Sequence, residues 1–158
     1  MGRWQDVVDS APEFARRVQA LFDAHRHKTL ATLRKDGSPR ISGIECEFKD
    51  GQVWFGSMKP ARKADDLARD PRLAIHSPSE DPGSDPLAWP GDAKLSGRAV
   101  EIIDPETLKA MHGDGPPNSH VYRIDISEVV LTRVGGMDHL VIELWAPDRG
   151  LKTMKRYN

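Results

Sequence analysis

The sequence predicts a mainly β fold of the α+β class, in which six or more strands form a closed or nearly closed barrel. Three observations support this: many short runs with strand-like alternation, few segments with helical periodicity, and short turns between them. Closure would remove the sheet edges that otherwise aggregate. Because 158 residues is near the usual size of one domain, we expect residues 1–158 to form a single domain.

The first element that we expect is a helix beginning at Ser10. Ser10 and Glu13 have the spacing of a capping box, and Pro12 falls in the first turn, where its missing N–H has no cost. An apolar stripe follows at helical spacing: Phe14, Val18, Leu21 and Phe22. The helix should therefore pack this stripe against a sheet.

The next residues predict a β-meander. Its strands and turns are Thr29–Leu33, Lys35–Ser38, Arg40–Phe48, Asp50–Gly51 and Gln52–Gly56, in chain order. A helix should then run from about Ala61 to Arg69 and end before Pro71, since the residue before a proline is pushed out of the helical region.

The second half of the sequence predicts more strands and a long loop. The expected elements are strands at Leu73–His76, Ala93–Ile103, Val121–Ile126, Val129–Val134 and Leu140–Trp145, and a short helix from Pro105 to about Met111. Ser77–Asp92 has four prolines and no periodicity. We expect it to be a surface loop that is mobile without substrate.

Composition and charge exclude several classes of protein. Charged residues make up 30% of the sequence and the formal net charge is -1, so we expect no nucleic-acid partner and no binding to an acidic membrane surface. No stretch approaches the roughly 18 apolar residues of a membrane span, and the N-terminus lacks the apolar segment of a secretory signal. We therefore expect a cytoplasmic protein.

Other potential sites have little support in the sequence. His25 and His27 do not share a helical face and have no cysteine or carboxylate cluster beside them, so we expect no metal site. Glu45 and Glu47 share one face of a predicted strand, as a paired-carboxylate hydrolase requires, but no partner motif accompanies them. Cys46, the single cysteine, cannot form an internal disulfide and is expected to be buried.

The segment Gly56–Lys63 is the strongest candidate for a binding site. A strand ends there, the hydroxyl of Ser57 and the cations Lys59, Arg62 and Lys63 follow, and a helix begins. Free N–H groups and the helix dipole favour an anion at a helix start, and cationic side chains add countercharge. A phosphate would fit there. The alternative is a solvated basic turn.

Three ordered blocks with compatible spacing, Leu30–Ser42, Val53–Ser57 and Arg62–Ala74, and the ending Gly150–Arg156 resemble one known family. The sequence resembles the pyridoxamine 5'-phosphate oxidase-related flavin proteins, also called split-barrel flavin and deazaflavin oxidoreductases. The resemblance implies an FMN-binding split β-barrel homodimer with two cofactor sites at the subunit interface. The alternative cofactor is the deazaflavin coenzyme F-420.

The resemblance also implies which residues contact the cofactor. Arg62 and Lys63 match the basic pair that binds the phosphate, and Lys59 is in the same turn. Ser57 and Met58 match the strand end beside the phosphate and ribityl chain. No catalytic side chain is assigned, because the flavin itself performs the hydride chemistry.

Two other strands are implicated by the same resemblance. Arg40, Ser42 and Ile44 lie on the strand whose alternate residues face the flavin, although core or surface roles stay open for them. Trp145 and Arg156 approach the cofactor of the other subunit, or else form part of the core and a solvated tail.

The implied activity is that of an FMN-dependent oxidoreductase acting on a small molecule. The chain lacks the longer arginine-containing C-terminal segment of the vitamin-forming oxidase, so we do not expect it to oxidise pyridoxamine phosphate. An F-420-dependent reductase and a non-catalytic flavin-binding module are the alternatives. Apolar strand residues such as Trp54 and Ile142 need cover from a second subunit, which also favours a dimer.

Overall fold

The computed structural model describes residues 1–113 and 118–158. The α-helices within these ranges are α1 (Trp4–Ser10), α2 (Pro12–Asp23), α3 (Arg62–Arg69) and α4 (Pro105–His112). The strands are β1 (His27–Leu33), β2 (Pro39–Lys49), β3 (Gln52–Met58), β4 (Arg72–His76), β5 (Asp92–Glu101), β6 (Ser119–Gly136), β7 (His139–Ala146) and β8 (Gly150–Tyr157). A 3-10 turn over Pro86–Ala88 lies in the loop between β4 and β5.

Six strands form a closed antiparallel barrel in the order β3-β2-β1-β4-β5-β6, and the pairing of β3 with β6 closes it. At this closure Trp54 pairs with Arg123 and Met58 pairs with Ser119. β6 continues beyond the barrel, where β7 and then β8 extend its sheet. The predicted mainly β barrel of at least six strands is therefore confirmed.

An irregularity in the β5–β6 pairing lets β6 belong to both parts of the sheet. Ser96 pairs with Glu128 but Gly97 pairs with Ile126, so β6 contains one extra residue, Ser127. A bulge of this kind bends a strand and increases its twist. Glycine is required opposite the bulge, because a Cβ on Gly97 would lie 2.1 Å from a main-chain oxygen of β6.

Helices cover the two ends of the barrel. At one end the N–H of Gln5 in α1 donates to the Gly51 carbonyl at the start of β3, and α2 packs against β5. At the other end Arg69 of α3 donates from Nη2 to the Leu33 carbonyl of β1 at 2.9 Å. The predicted apolar stripe of α2 is buried in the core. α3 thus lies where β1 and β3 end and β2 begins.

The capping box predicted at Ser10 and Glu13 is wrong. Ser10 ends α1, a helix that the sequence pattern did not reveal, and α2 begins two residues later. The Ser10 hydroxyl donates to the Asp6 carbonyl at 2.7 Å and accepts from Trp145 Nε1 at 2.8 Å. These two bonds occupy the hydroxyl, and Ala11 becomes the N-cap of α2 without a side-chain acceptor.

Two predictions about the last strands are also wrong. Val121–Ile126 and Val129–Val134 belong to one strand, β6, because the bulge at Ser127 bends the chain without reversing it. β8 (Gly150–Tyr157) was not predicted as a strand. Nearly all of its residues are exposed, so its sequence lacks the alternation of apolar and polar residues that a half-buried strand shows.

Candidate cofactor-binding site

The connection from β3 to α3 forms a helix start that no side chain caps. β3 ends at Met58, the chain passes through a cis Lys59–Pro60 peptide, and α3 begins at Arg62. The N-cap residue, Ala61, is extended and has no side-chain oxygen to accept from the first turn. The Ala64 N–H donates to the Ala61 carbonyl at 3.1 Å, and within the described residues the N–H groups of Arg62 and Lys63 are left for an anion.

Three cations lie around this helix start. The side chains of Lys59 and Arg62 are exposed, and that of Lys63 is half-buried. Among the residues that the structure describes, no carboxylate forms an ion pair with any of the three. Their positive charge is therefore not paired with a carboxylate within residues 1–113 and 118–158.

A cleft of about 690 Å³ extends from Arg62 along one side of α3. It is lined by five cationic and three acidic side chains: Arg34, Lys35, Arg40, Arg62 and Arg69, and Asp36, Asp65 and Asp66. Five positive and three negative charges leave a net charge of +2. A phosphate monoester carries about −1.5 to −2 at neutral pH. The charge of the cleft therefore matches that of a single phosphate group.

Asp66 is the buried centre of the hydrogen bonds in this cleft, with a side chain only 3% exposed. Its carboxylate accepts from Thr32 Oγ1 at 2.8 Å, Arg40 Nε at 2.6 Å and Arg69 Nη2 at 3.1 Å. Burial by itself raises the pKa of Asp66, but these hydrogen bonds outweigh burial and hold the pKa below its ordinary value. Asp66 is therefore ionised at neutral pH.

Arg40, Ser42 and Ile44 share one face of β2, but this face turns toward the interior of the barrel. Arg40, at the end of the barrel that α3 covers, reaches the cleft. Ile44 is 4% exposed and belongs to the core, which is the alternative that the sequence left open for it. The residues of β2 that point outward beside Arg40 and Ser42 are Ile41 and Gly43.

Ser57 and Met58, at the end of β3, have opposite environments. Ser57 is buried on the inner face, directly opposite His120 of β6, and its hydroxyl lies 3.4 Å from the Met58 carbonyl oxygen. The Met58 side chain is 77% exposed. Only Met58 of the two therefore presents its side chain to a ligand outside the barrel.

Trp145 lies in the core rather than on a surface that a cofactor could use. Its side chain is 2% exposed, and its indole N–H is bound to Ser10 at the end of α1. The core alternative that the sequence left open for Trp145 is therefore the one observed. Arg156 is exposed on β8, so its contact with a second subunit stays a prediction.

A second polar group at the same end of the barrel was not predicted. His120 Nδ1 lies 2.5 Å from Glu101 Oε1, and the imidazole stacks on Tyr122 with ring centroids 6.0 Å apart. Burial, together with the charges of Glu101 and Asp65, raises the pKa of Tyr122 to about 12. These residues meet through the β5–β6 pairing and the packing of α3, for which a single sequence has no local signal.

Neither Cys46 nor a cluster of metal-ligating side chains forms a second candidate site in the part of the chain that the structure describes. Cys46 is half-buried on β2, and burial raises the pKa of its thiol to about 11. In residues 1–113 and 118–158, no three His, Cys, Asp or Glu side chains are grouped so that they could hold a metal ion. None of the helices in these ranges has the length and apolar character needed to cross a bilayer.

Comparison with known proteins assigns the family. Residues 14–133 match the family model of pyridoxamine 5'-phosphate oxidase. The chain belongs to the pyridoxamine 5'-phosphate oxidase family. All three blocks on which the resemblance rests lie inside the matched residues, and the predicted family is confirmed. No curated protein matches the sequence significantly.

Solved structures of other proteins share the fold of this member of the pyridoxamine 5'-phosphate oxidase family. PhzG from Burkholderia lata 383, in complex with tetrahydrophenazine-1-carboxylic acid, is 17% identical, with 100% of this chain and 98% of that chain covered and a TM-score of 0.66. A heme binding protein from Mycobacterium smegmatis is 17% identical, with 89% and 87% covered and a TM-score of 0.56. An F-420 reductase is 17% identical, with 70% and 94% covered and a TM-score of 0.51. At these identities the similarity establishes the fold, and the predicted split barrel is confirmed.

Proposed function

We propose that this member of the pyridoxamine 5'-phosphate oxidase family is an FMN-dependent oxidoreductase that transfers hydride or electrons to or from a small molecule. The observation that supports FMN most directly is the uncapped start of α3, where Arg62 opens onto a cleft of net charge +2 and Lys63 lies next to it. A phosphate monoester fits such a site in charge and in hydrogen-bonding capacity.

Different parts of the site would bind different parts of FMN. Arg62, Lys63 and the first N–H groups of α3 hold the phosphate, and Arg40 contributes from β2. Ile41 is exposed on the outer face of β2, and a Cβ on Gly43 would meet open space, so this face offers room for a flat ring beside the cleft. Bound FMN supplies the hydride chemistry, and the protein orients it.

Titration of the apoprotein with FMN and with riboflavin tests this proposal. We expect Lys63→Ala to weaken FMN binding roughly ten- to a hundredfold, since a hydrogen bond to a charged group is worth about 1.5 to 3 kcal/mol. Riboflavin lacks the phosphate and should bind the variant nearly as tightly as it binds the wild type. Fluorescence quenching of either ligand on binding gives both dissociation constants.

Arg26→Ala is the matched control for this titration. Arg26 is an exposed cation between α2 and β1, at the end of the barrel away from α3, and its removal should change neither affinity. If Lys63→Ala loses FMN and riboflavin affinity equally, or loses neither, Lys63 is not a phosphate ligand and the helix start is a solvated basic turn.

A deazaflavin-dependent reductase is the second candidate, supported by the similarity to the F-420 reductase structure. Coenzyme F-420 also contains a phosphate group, so the start of α3 would serve either cofactor. FMN and F-420 absorb at different visible wavelengths, and the absorption spectrum of the purified protein therefore distinguishes them. Binding of F-420 and not of FMN by the apoprotein would replace the first proposal with the second.

A further inference from the structure

Asp66 connects three elements at the candidate phosphate cleft. It lies on α3, the helix that begins with Arg62 and Lys63, and it binds Thr32 of β1 and Arg40 of β2. A buried carboxylate in a cleft suited to an anion needs an explanation, because its negative charge opposes that of the ligand. Charge attraction alone would favour an uncharged residue at this position.

The contact with Arg40 provides that explanation. Asp66 accepts from Arg40 Nε at 2.6 Å, and its second oxygen lies 3.5 Å from Arg40 Nη2. A guanidinium has five N–H donors in a rigid plane. Asp66 accepts from at most two of these donors. Its contact fixes the plane in which the remaining N–H groups of Arg40 point. Arg40 is 25% exposed and lines the cleft together with Arg62.

Asp66 is not the only group that holds α3 on the barrel. Arg69 of α3 donates from Nη2 to the Leu33 carbonyl of β1 at 2.9 Å, in addition to its bond with Asp66. Ala64 and Leu67 of the same helix are buried. Contacts other than those of Asp66 therefore also hold α3 on the barrel. A substitution that keeps the shape of the Asp66 side chain should leave the helix in place.

We propose that Asp66 is a positioning residue that orients the Arg40 guanidinium so that it binds the cofactor phosphate together with Arg62. This inference rests on the proposed function, in which a phosphate occupies the cleft. Asp66 does not touch the ligand; it acts by fixing the direction of the N–H groups of Arg40. The gain from a preoriented guanidinium exceeds the repulsion between the carboxylate and the phosphate.

The test is FMN and riboflavin titration of Asp66→Asn, which is nearly isosteric and removes the charge that holds Arg40. FMN binding should weaken about tenfold, because a charge-assisted hydrogen bond loses its alignment, while riboflavin binding stays unchanged. Asp70→Asn is the matched control, since Asp70 follows the same helix but binds Arg72 and does not line the cleft. Removal of its charge should leave the binding of both ligands unchanged.

A double-mutant cycle shows whether Asp66 acts through Arg40. Arg40→Ala should weaken FMN binding, and adding Asp66→Asn to Arg40→Ala should weaken it no further. If Asp66→Asn does not fold, Arg40→Lys is the alternative, because it keeps the positive charge but loses the Nε contact with Asp66. It should reproduce the selective loss of FMN affinity.

The outcomes that overturn the proposal are distinct from those that overturn the function. Unchanged or tighter FMN binding in Asp66→Asn, or equal loss for FMN and riboflavin, eliminates the positioning role. If at the same time Lys63→Ala loses FMN affinity selectively, the phosphate site stands and only the role of Asp66 is refuted. If Lys63→Ala also fails to distinguish the two ligands, the proposed function itself fails.

Discussion

Asp66 couples the stability of the protein to pH, because its pKa in the folded chain is lower than the ordinary value of 3.8. Such a group stabilises the fold at pH values above its unfolded pKa, and the contribution disappears as the pH falls through the folded pKa. We expect the wild type to have a larger free energy of unfolding than Asp66→Asn at pH 7, and the difference to shrink below about pH 4. Urea unfolding at pH 7 and pH 3 measures both. A difference of equal size at both pH values would contradict this expectation.

Cys46 should be unreactive in the folded protein. Its pKa of about 11, raised from 9.0 by burial, lowers the thiolate fraction at pH 8 by about a hundredfold, and thiolate is the form that alkylating reagents attack. Modification by iodoacetamide should therefore be at least about a hundredfold slower in native protein than in urea. The variant Cys46→Ser gives the background. Equal rates in native and unfolded protein would show that the thiol is accessible and that its pKa is not raised.

The position of a candidate site residue could be predicted from the sequence where it depends on neighbours in the chain. Arg62 and Lys63 follow a strand and open a helix, so local pattern and family resemblance placed both at the helix start. The Asp66–Arg40 contact joins residues 26 positions apart and needs the packing of α3 on the barrel. Ser10 shows the reverse case, in which the local capping motif does not form because the Ser10 hydroxyl binds the Asp6 carbonyl and Trp145.

At the scale of elements, the bulge between β5 and β6 makes Gly97 sensitive to substitution. A Cβ at Gly97 would lie 2.1 Å from the Asp125 carbonyl oxygen, so Gly97→Ala must push β6 away or break the pairing. We expect Gly97→Ala to lower the free energy of unfolding by about 1–3 kcal/mol. Chemical denaturation of the apoprotein measures the change.

Gly43→Ala is the control for this substitution. Gly43 is also in a strand, but a Cβ there meets nothing within 4 Å. Because alanine restricts the unfolded chain more than glycine does, Gly43→Ala should be neutral or stabilising by a few tenths of a kcal/mol. Equal effects of the two substitutions would show that β6 can shift at no cost.

Elements with one buried face were easier to predict from the sequence than exposed elements. β1, β3 and α2 have one buried face each, and their alternation or helical stripe was recognisable in the sequence. β8 pairs only with β7 and is exposed on both faces, so neither its propensity nor its pattern marked it as a strand. Ser127 interrupts the alternation of β6, and the sequence pattern therefore predicts a boundary between two strands where the structure has a bulge.

At the scale of the whole molecule, the exposed β8 strand favours a second subunit. Leu151, Met154 and Tyr157 are exposed on β8, and Met154 is paired with the half-buried Ile142 of β7. An exposed edge strand with apolar side chains is usually covered. We therefore expect a homodimer, as the family resemblance also implies. Light scattering at micromolar concentration should give about twice the chain mass of 17.6 kDa. A mass of one chain would contradict this expectation.

The sequence predicts the mainly β architecture better than it predicts which two strands close the barrel. The mainly β class follows from repeated local alternation, and three sequence blocks were enough to recognise the family. That β3 pairs with β6, and that Arg40 turns inward toward Asp66, depend on contacts between distant parts of the chain. A single sequence contains no direct signal of such pairings.

The pairing of β3 with β6 also sets the time during synthesis at which a ligand can first be held. Arg62 and Lys63 leave the ribosome early, but β3 cannot pair with β6 until α3, β4, β5 and α4 have all been synthesised. Contacts between such distant segments form late in folding. A nascent chain that has just exposed the basic turn therefore has an unpaired β3 beside it, and we expect the proposed FMN to be held firmly only once β6 has been made.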